Sequence, residues 1–178
     1  MLGLELVRHR ATVRDRVVDI RGLEPIDVQA ASDLLDRELG GRHQARLGTL
    51  HDVLALPGVG AWDEQQLVGV ATYDVQGRTA ELAAIAVSND HRLGGIGTQL
   101  IDAVVVAARS AGAREVWLVT TNDNVDALRL YQRRGFRLSE LHTGGVDRAR
   151  ALKPAIAREG CYGIPMRDEL VLTFTMPT

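Results

Sequence analysis

The sequence predicts a mixed α/β domain with a central, mostly antiparallel sheet flanked by helices. Three observations carry this. Closely spaced strand patterns between Gly60 and Val87 are joined by short polar turns. Strand and helix patterns then alternate from Thr79 to Leu141, as crossover connections require. One strand in the middle, Thr79 to Val87, is apolar nearly throughout its ELAAIAV stretch, as a strand covered on both faces must be.

Each element follows from its own pattern. Leu2 to Arg8 and Val17 to Arg21 alternate as strands do. A helix is expected from Ile26 to Leu39, after Pro25, with Val28, Ala31, Leu34, Leu35 and Leu39 at helical spacing and a stop at Gly40-Gly41. In the less legible stretch from Arg42 to Gly58, a short helix at Leu50 to Leu56 is expected. Strands follow at Gly60 to Trp62, Leu67 to Tyr73 and Thr79 to Val87, the last central in the sheet. Ile96 to Ala111 reads as a helix closed by Gly112, Glu115 to Thr120 as a buried strand, and Asn124 to Arg134 as a helix closed by Gly135. Phe136 to Leu141 completes two expected crossover units. In the tail, Val146 to Leu152 is helical, a loop runs from Pro154 to Pro165, and Asp168 to Met176 alternates as a strand that must return to the sheet.

Composition narrows the class. The 178 residues, 46% apolar and 25% charged, suit one compact domain spanning the chain. With 21 basic against 23 acidic residues the net charge is −2, so the footprint of a general nucleic-acid binder is missing. Cys161 is the one cysteine, which leaves no intramolecular disulfide and points to a reducing cytoplasm. Charges interrupt the N-terminal stretch where a signal peptide needs an apolar run, and no window has the length of a membrane span. His9, His43, His51, His91 and His142 lack metal-site spacing.

The densest chemical signal is Val87 to Gln99, VSNDHRLGGIGTQ, where a buried strand passes through Gly94, Gly95 and Gly97 straight into a helix. Glycines let backbone approach a ligand, and a helix N-terminus offers unpaired N–H groups and the positive end of its dipole. An anion fits there, although a tight connection alone would use the same residues. The letters exclude two nucleotide patterns. A Walker loop needs a lysine that is absent, and G-x-G-x-x-G is not met from Gly94 or Gly95.

Arg92-Leu93-Gly94-Gly95-Ile96-Gly97 resembles the R/Q-x-x-G-x-G/A signature of GNAT acyltransferases, and Asn124, Ala127, Leu130, Tyr131, Gly135 and Phe136 resemble their second signature, N-x-x-A-x-x-(L/F)-Y-x-x-x-G-F. The resemblance is specific from Leu67 to Leu141. It implies the GNAT fold, with central strands splayed to admit pantetheine, acetyl-CoA as cofactor, and transfer of its acetyl group to an amine. By the same resemblance the amides of Leu93, Gly94, Gly95, Ile96, Gly97 and Thr98 receive the pyrophosphate. The main chain of Ile85, Ala86 and Val87 pairs with the pantetheine arm, and Val87 or its neighbour polarises the thioester carbonyl. Arg92 either adds charge near the phosphates or is solvated. Asn124, in the same signature as Ala127, either contacts cofactor or caps its helix.

Transfer to an amine needs a base for the amine and an acid for the leaving thiolate. Tyr131 stands where the family places that acid. Glu81 is the one charge in ELAAIAV and lies eleven positions before Arg92, where histone-type members carry their catalytic carboxylate. On an apolar strand its pKa is expected to be raised, and ordered water is the alternative base. The charges of the tail, Arg148, Arg150, Lys153, Arg167, Asp168 and Glu169, form either a lid or a solvated loop. The expected acceptor is a small-molecule primary amine. A protein N-terminus or lysine, or a non-catalytic acyl-CoA-binding module, is the alternative. The residues leave the oligomeric state open, a homodimer being one alternative because members of the family often dimerise.

Overall fold

The computed structural model describes residues 18–92 and 94–177. The strand expected at Leu2 to Arg8, the start of Val17 to Arg21, and Leu93 lie outside the described residues.

The chain enters through β1 (Asp19–Gly22). A 3-10 turn at Pro25–Asp27 starts the helical region, the Asp27 carboxylate accepting the Glu24 N–H at 2.9 Å. Helix α1 (Val28–Leu39) buries Ala31, Leu34 and Leu35 along one stripe and ends at Gly40, whose φ of 67° is the left-handed conformation that closes helices. The next segment corrects an expectation. Instead of a helix at Leu50 to Leu56, β2 (His43–Arg46) and β3 (Thr49–Asp52) form a separate two-stranded hairpin, and only Val53–Ala55 makes a 3-10 turn. Leu50 mimics the first position of a helical stripe but is exposed. Leu47 and Gly48 both take positive φ, the geometry of a two-residue hairpin turn. Asp52 then receives Arg42 through two bonds of 2.7 and 2.6 Å, closing the hairpin's open end.

Strands β4 (Gly58–Asp63), β5 (Gln66–Gln76) and β6 (Thr79–Val87) follow as antiparallel neighbours. Helix α2 (Ile96–Ser110) crosses to β7 (Glu115–Thr121), parallel to β6. Helix α3 (Val125–Arg133) leads to β8 (Arg137–His142), α4 (Gly145–Leu152) opens the tail, and β9 (Glu169–Thr175) closes it. The sheet order is β1-β4-β5-β6-β7-β9-β8, so β6 is central as expected. The second crossover unit is not a neighbouring pair. β9 inserts between β7 and β8, antiparallel to both, because a returning strand finds two open edges there.

The register of β6 fixes which way its side chains face. Thr72 aligns with Ala84 but Tyr73 with Leu82, so Ala83 is an extra residue, a bulge. Before it, Ala80 and Leu82 join the core beneath α2. After it, Ala84 and Ala86 join the core beneath α1. The first core packs Leu100, Ile101 and Val104 of α2 with Val116, Leu118, Phe136 and Leu172. The second packs Leu34 and Leu35 with Trp62 and Val70. No helix among the described residues is long and apolar enough to cross a membrane.

Candidate active site

The parting of two strands makes the site. β6 and β7 pair only at Thr79↔Glu115, Ala80↔Val116 and Glu81↔Trp117, whereas β6 stays in register with β5 as far as Val87. Beyond Glu81 the edge of β6 facing β7 can accept an added extended segment, the requirement of a pantetheine arm. Ile85 and Val87 pack their side chains against the α2 core and Ala86 is buried in the α1 core, so any ligand contact from these three would come from their backbone.

The glycines of the loop divide their work. Gly95 is the N-cap of α2 with φ 78°, a conformation favouring glycine. No side chain caps the helix, and a Cβ there would meet nothing within 4 Å. The start of α2 is thus without a side-chain cap, as a cradle for a diphosphate requires. Gly97 has a packing reason as well, since a Cβ would come within 3.2 Å of Leu130 on α3. Ile96 is buried in the core. Arg92 is not merely solvated. It is 58% exposed and donates to Glu38 of α1 at 2.9 Å, while Glu38 also accepts the Asn89 N–H at 3.3 Å. The glycine loop is thereby tied to α1.

Asn124 occupies the N-cap of α3 without a side-chain cap bond, so the capping expectation fails. Its amide donates instead to Thr120 Oγ1 at 3.4 Å. Ala127 packs against the core. Tyr131 is 6% exposed, with its ring 5.9 Å from that of Phe136. Burial pushes its phenol well above the ordinary value, which keeps the proton on Oη at neutral pH.

Glu81 does not stand alone on an apolar strand. Arg46, at the end of β2, places Nε against its carboxylate, and the two side chains are 8% and 12% exposed. Asp74 lies across from Glu81 in register. His51, on β3, joins the same group. Burial, then the positive charge of Arg46, pushes its imidazole below the ordinary value, with Glu81 and Asp74 opposing. Because Glu81 is the last residue of β6 in register with β7, this polar cluster sits at the vertex of the parted strands.

Of the tail charges, Arg150, Lys153, Asp168 and Glu169 are bonded to other parts of the chain rather than left to solvent. Arg150 donates to the carbonyls of Ile156, Ala157 and Met166 and pairs with Asp147. Lys153 donates to the His43 carbonyl at 2.8 Å, and Asp123 accepts the Cys161 N–H at 3.0 Å. Asn122 accepts the N–H groups of Arg167 and Asp168. Glu169, 2% exposed, accepts the N–H of Leu47 at the hairpin tip at 3.2 and 3.1 Å.

Arg46, His51, Glu38 and Glu169 as an anchor are not legible from motifs. His51 lies in the segment misread as a helix, and Arg46 in the less legible stretch before it. The one available signal, Leu47-Gly48 between HQAR and TLHD, is a turn between short polar strands.

The comparisons agree with this geometry. Residues 28–136 match the model of the Acetyltransferase (GNAT) family. The uncharacterized protein YxbD of Bacillus subtilis is 38% identical over 110 residues, which cover 62% of this chain and 68% of that protein. The IAA acetyltransferase from Bacillus cereus superposes with a TM-score of 0.72 at 21% identity, over 90% of this chain and 100% of that one. A Bacillus subtilis acetyltransferase in complex with CoA does so with a TM-score of 0.66 at 22% identity, over 90% and 100%. A family match across most of the chain, the shared fold, and parted strands beside an uncapped helix N-terminus agree, and the chain belongs to the GNAT acetyltransferase family.

Proposed function

We propose that this acetyltransferase moves the acetyl group of acetyl-CoA to a primary amine of a small molecule by direct attack. Its cofactor is acetyl-CoA, as its family and the CoA-bound neighbour indicate. The observation that carries the reading is the splay of β6 from β7 beyond Glu81, opposite the open N-terminus of α2. Bound there, acetyl-CoA supplies an activated thioester. The chain does the rest. Backbone amides of Gly94, Gly95, Gly97 and Thr98 hold the diphosphate, and those of Ile85 and Val87 align the pantetheine arm. Glu81 takes the amine proton, directly or through water, and Tyr131 Oη gives a proton to the departing sulfur. His51, kept neutral at physiological pH by burial and by Arg46, is a second acceptor for the amine proton. The bonds tying segment 143–168 to the hairpin and to Asp123 favour an enclosed small acceptor over an extended peptide.

Thermal-shift titration tests the cofactor site, since a ligand of the folded state raises its apparent stability. Acetyl-CoA and coenzyme A should raise Tm while NADH does not, and no shift with either would sink the reading. Tyr131→Phe should lower turnover by about 100-fold or more with the coenzyme A shift intact. Unchanged turnover removes Tyr131 from the mechanism.

A further inference from the structure

Arg46 is buried with most of its hydrogen-bonding capacity unused. Nε meets Glu81, but Nη1 and Nη2 are enclosed and have no hydrogen-bond partner among the described residues. A guanidinium has five N–H donors, and the two Nη atoms carry four of them. Leaving a buried donor unmade is costly, and more so for a charged group. Such a deficit at the vertex of the parted strands, beside the carboxylate placed to receive the amine proton, calls for an acceptor supplied from outside.

We propose that the Nη1/Nη2 edge of Arg46 receives a carboxylate carried by the acceptor, so that the molecule acetylated bears both an amine and a carboxylate, as amino acids do. This rests on the acetyl-transfer reading above. Two planar N–H groups side by side match the two oxygens of a carboxylate. The charges around them complement a zwitterion. The Arg46 guanidinium faces the negative end, while Glu81, with Asp74 beside it in register, faces the end that carries the nitrogen. His51 stands in the same group as a neutral imidazole and opposes neither. Both nitrogens are shut off from solvent, so entry requires the β2–β3 hairpin to lift. The hairpin forms its own two-stranded sheet and is fastened to the rest by side-chain bonds, Leu47 N–H to Glu169 and Lys153 to the His43 carbonyl, rather than by a ladder.

The test uses matched pairs on the full chain loaded with coenzyme A or acetyl-CoA: the twenty common amino acids, each against the amine that remains when its carboxylate is removed. At least one amino acid should raise the Tm of the coenzyme-A-loaded protein above the shift given by its amine. It should also release thiol from acetyl-CoA with a kcat/KM about 30-fold or more above that of the amine. Arg46→Lys, which keeps the charge and loses the fork, should cut this preference. Arg46→Met should erase it while the stabilisation by coenzyme A persists. The matched-pair comparison needs no variant, so misfolding of Arg46→Met does not rescue the idea. Decarboxylated amines acetylated as well as the amino acids would overturn the carboxylate site and leave acetyl transfer standing. Amino acids that stabilise the loaded protein without being acetylated would do the reverse. If no carboxylate-bearing amine stabilises or reacts, the proposal is wrong.

Discussion

The two faces of the sheet are held by different means. Beneath α2 and α3, cohesion comes from volume: Leu100, Ile101, Val104, Val116, Leu118 and Leu172 interlock in one apolar layer, each almost wholly buried. Across the sheet, the hairpin and segment 143–168 bury little apolar volume beyond Val146 and Ala149 and are fastened largely by polar bonds between separate segments. Leu47 holds to Glu169, Lys153 to His43, Cys161 to Asp123, and Arg150 to three carbonyls. The first arrangement is rigid because any void is costly. The second can yield one bond at a time, and it is the one that closes over the polar cluster at the vertex. The proposed cofactor and acceptor sites thus lie on sides of the sheet held by different means, not only by different residues.

Mutations can break this contrast. Leu100→Ala should cost about 2–5 kcal/mol of global stability, read from denaturant unfolding, because Leu100 is fully buried and touches the site of Gly69. A cost well under that range would mean the α2 layer relaxes more freely than its packing implies. Arg150→Met should act locally. Global stability should change by less than about 1 kcal/mol while amide exchange across 153–166 accelerates about tenfold or more. Cooperative loss of the whole fold would erase the distinction between the faces. Leu47→Gly should raise stability by about 0.5 kcal/mol, because a non-glycine residue at φ 48° carries backbone strain and this side chain is partly exposed. A fall instead would show that the leucine side chain packs usefully against the tail.

The smallest effect is one of pH. Because burial and Arg46 lower the proton affinity of His51 in the folded state, the unfolded chain takes up this proton first as pH falls. The stabilisation is complete above the unfolded value, about pH 6.5, and is lost as pH drops through the lowered folded one. Wild type should therefore lose Tm relative to His51→Gln between about pH 7.5 and 5. A constant difference would place the imidazole in solvent rather than against Arg46.

The contrast also explains what the sequence discloses. Under α2 the information is periodic: apolar residues at helical spacing, a continuous apolar strand, and glycines at the turn mark helix, strand and loop without knowledge of distant partners. Gly95 was legible for that reason, whereas Tyr131 was singled out only by the resemblance to the second signature. The hairpin side carries no period. HQAR and TLHD are short and polar, and what places Arg46 against Glu81 is a contact 35 positions away in sequence. The same blindness produced the expected helix at Leu50 to Leu56 and the expected isolation of Glu81. It also hid the place of β9, since alternation shows that a strand exists but not which edge it joins.

That place governs assembly. Among the described residues β8 touches the sheet only through β9, the last of the described strands, which lies between β7 and β8. During refolding β8 must wait, its edge unpaired, until β9 has been brought in. Contacts of such long sequence separation slow folding and lengthen the exposure of sticky edges. The step that seats β9 is thus the one at which dilution, temperature and chaperones would most affect the yield of native protein.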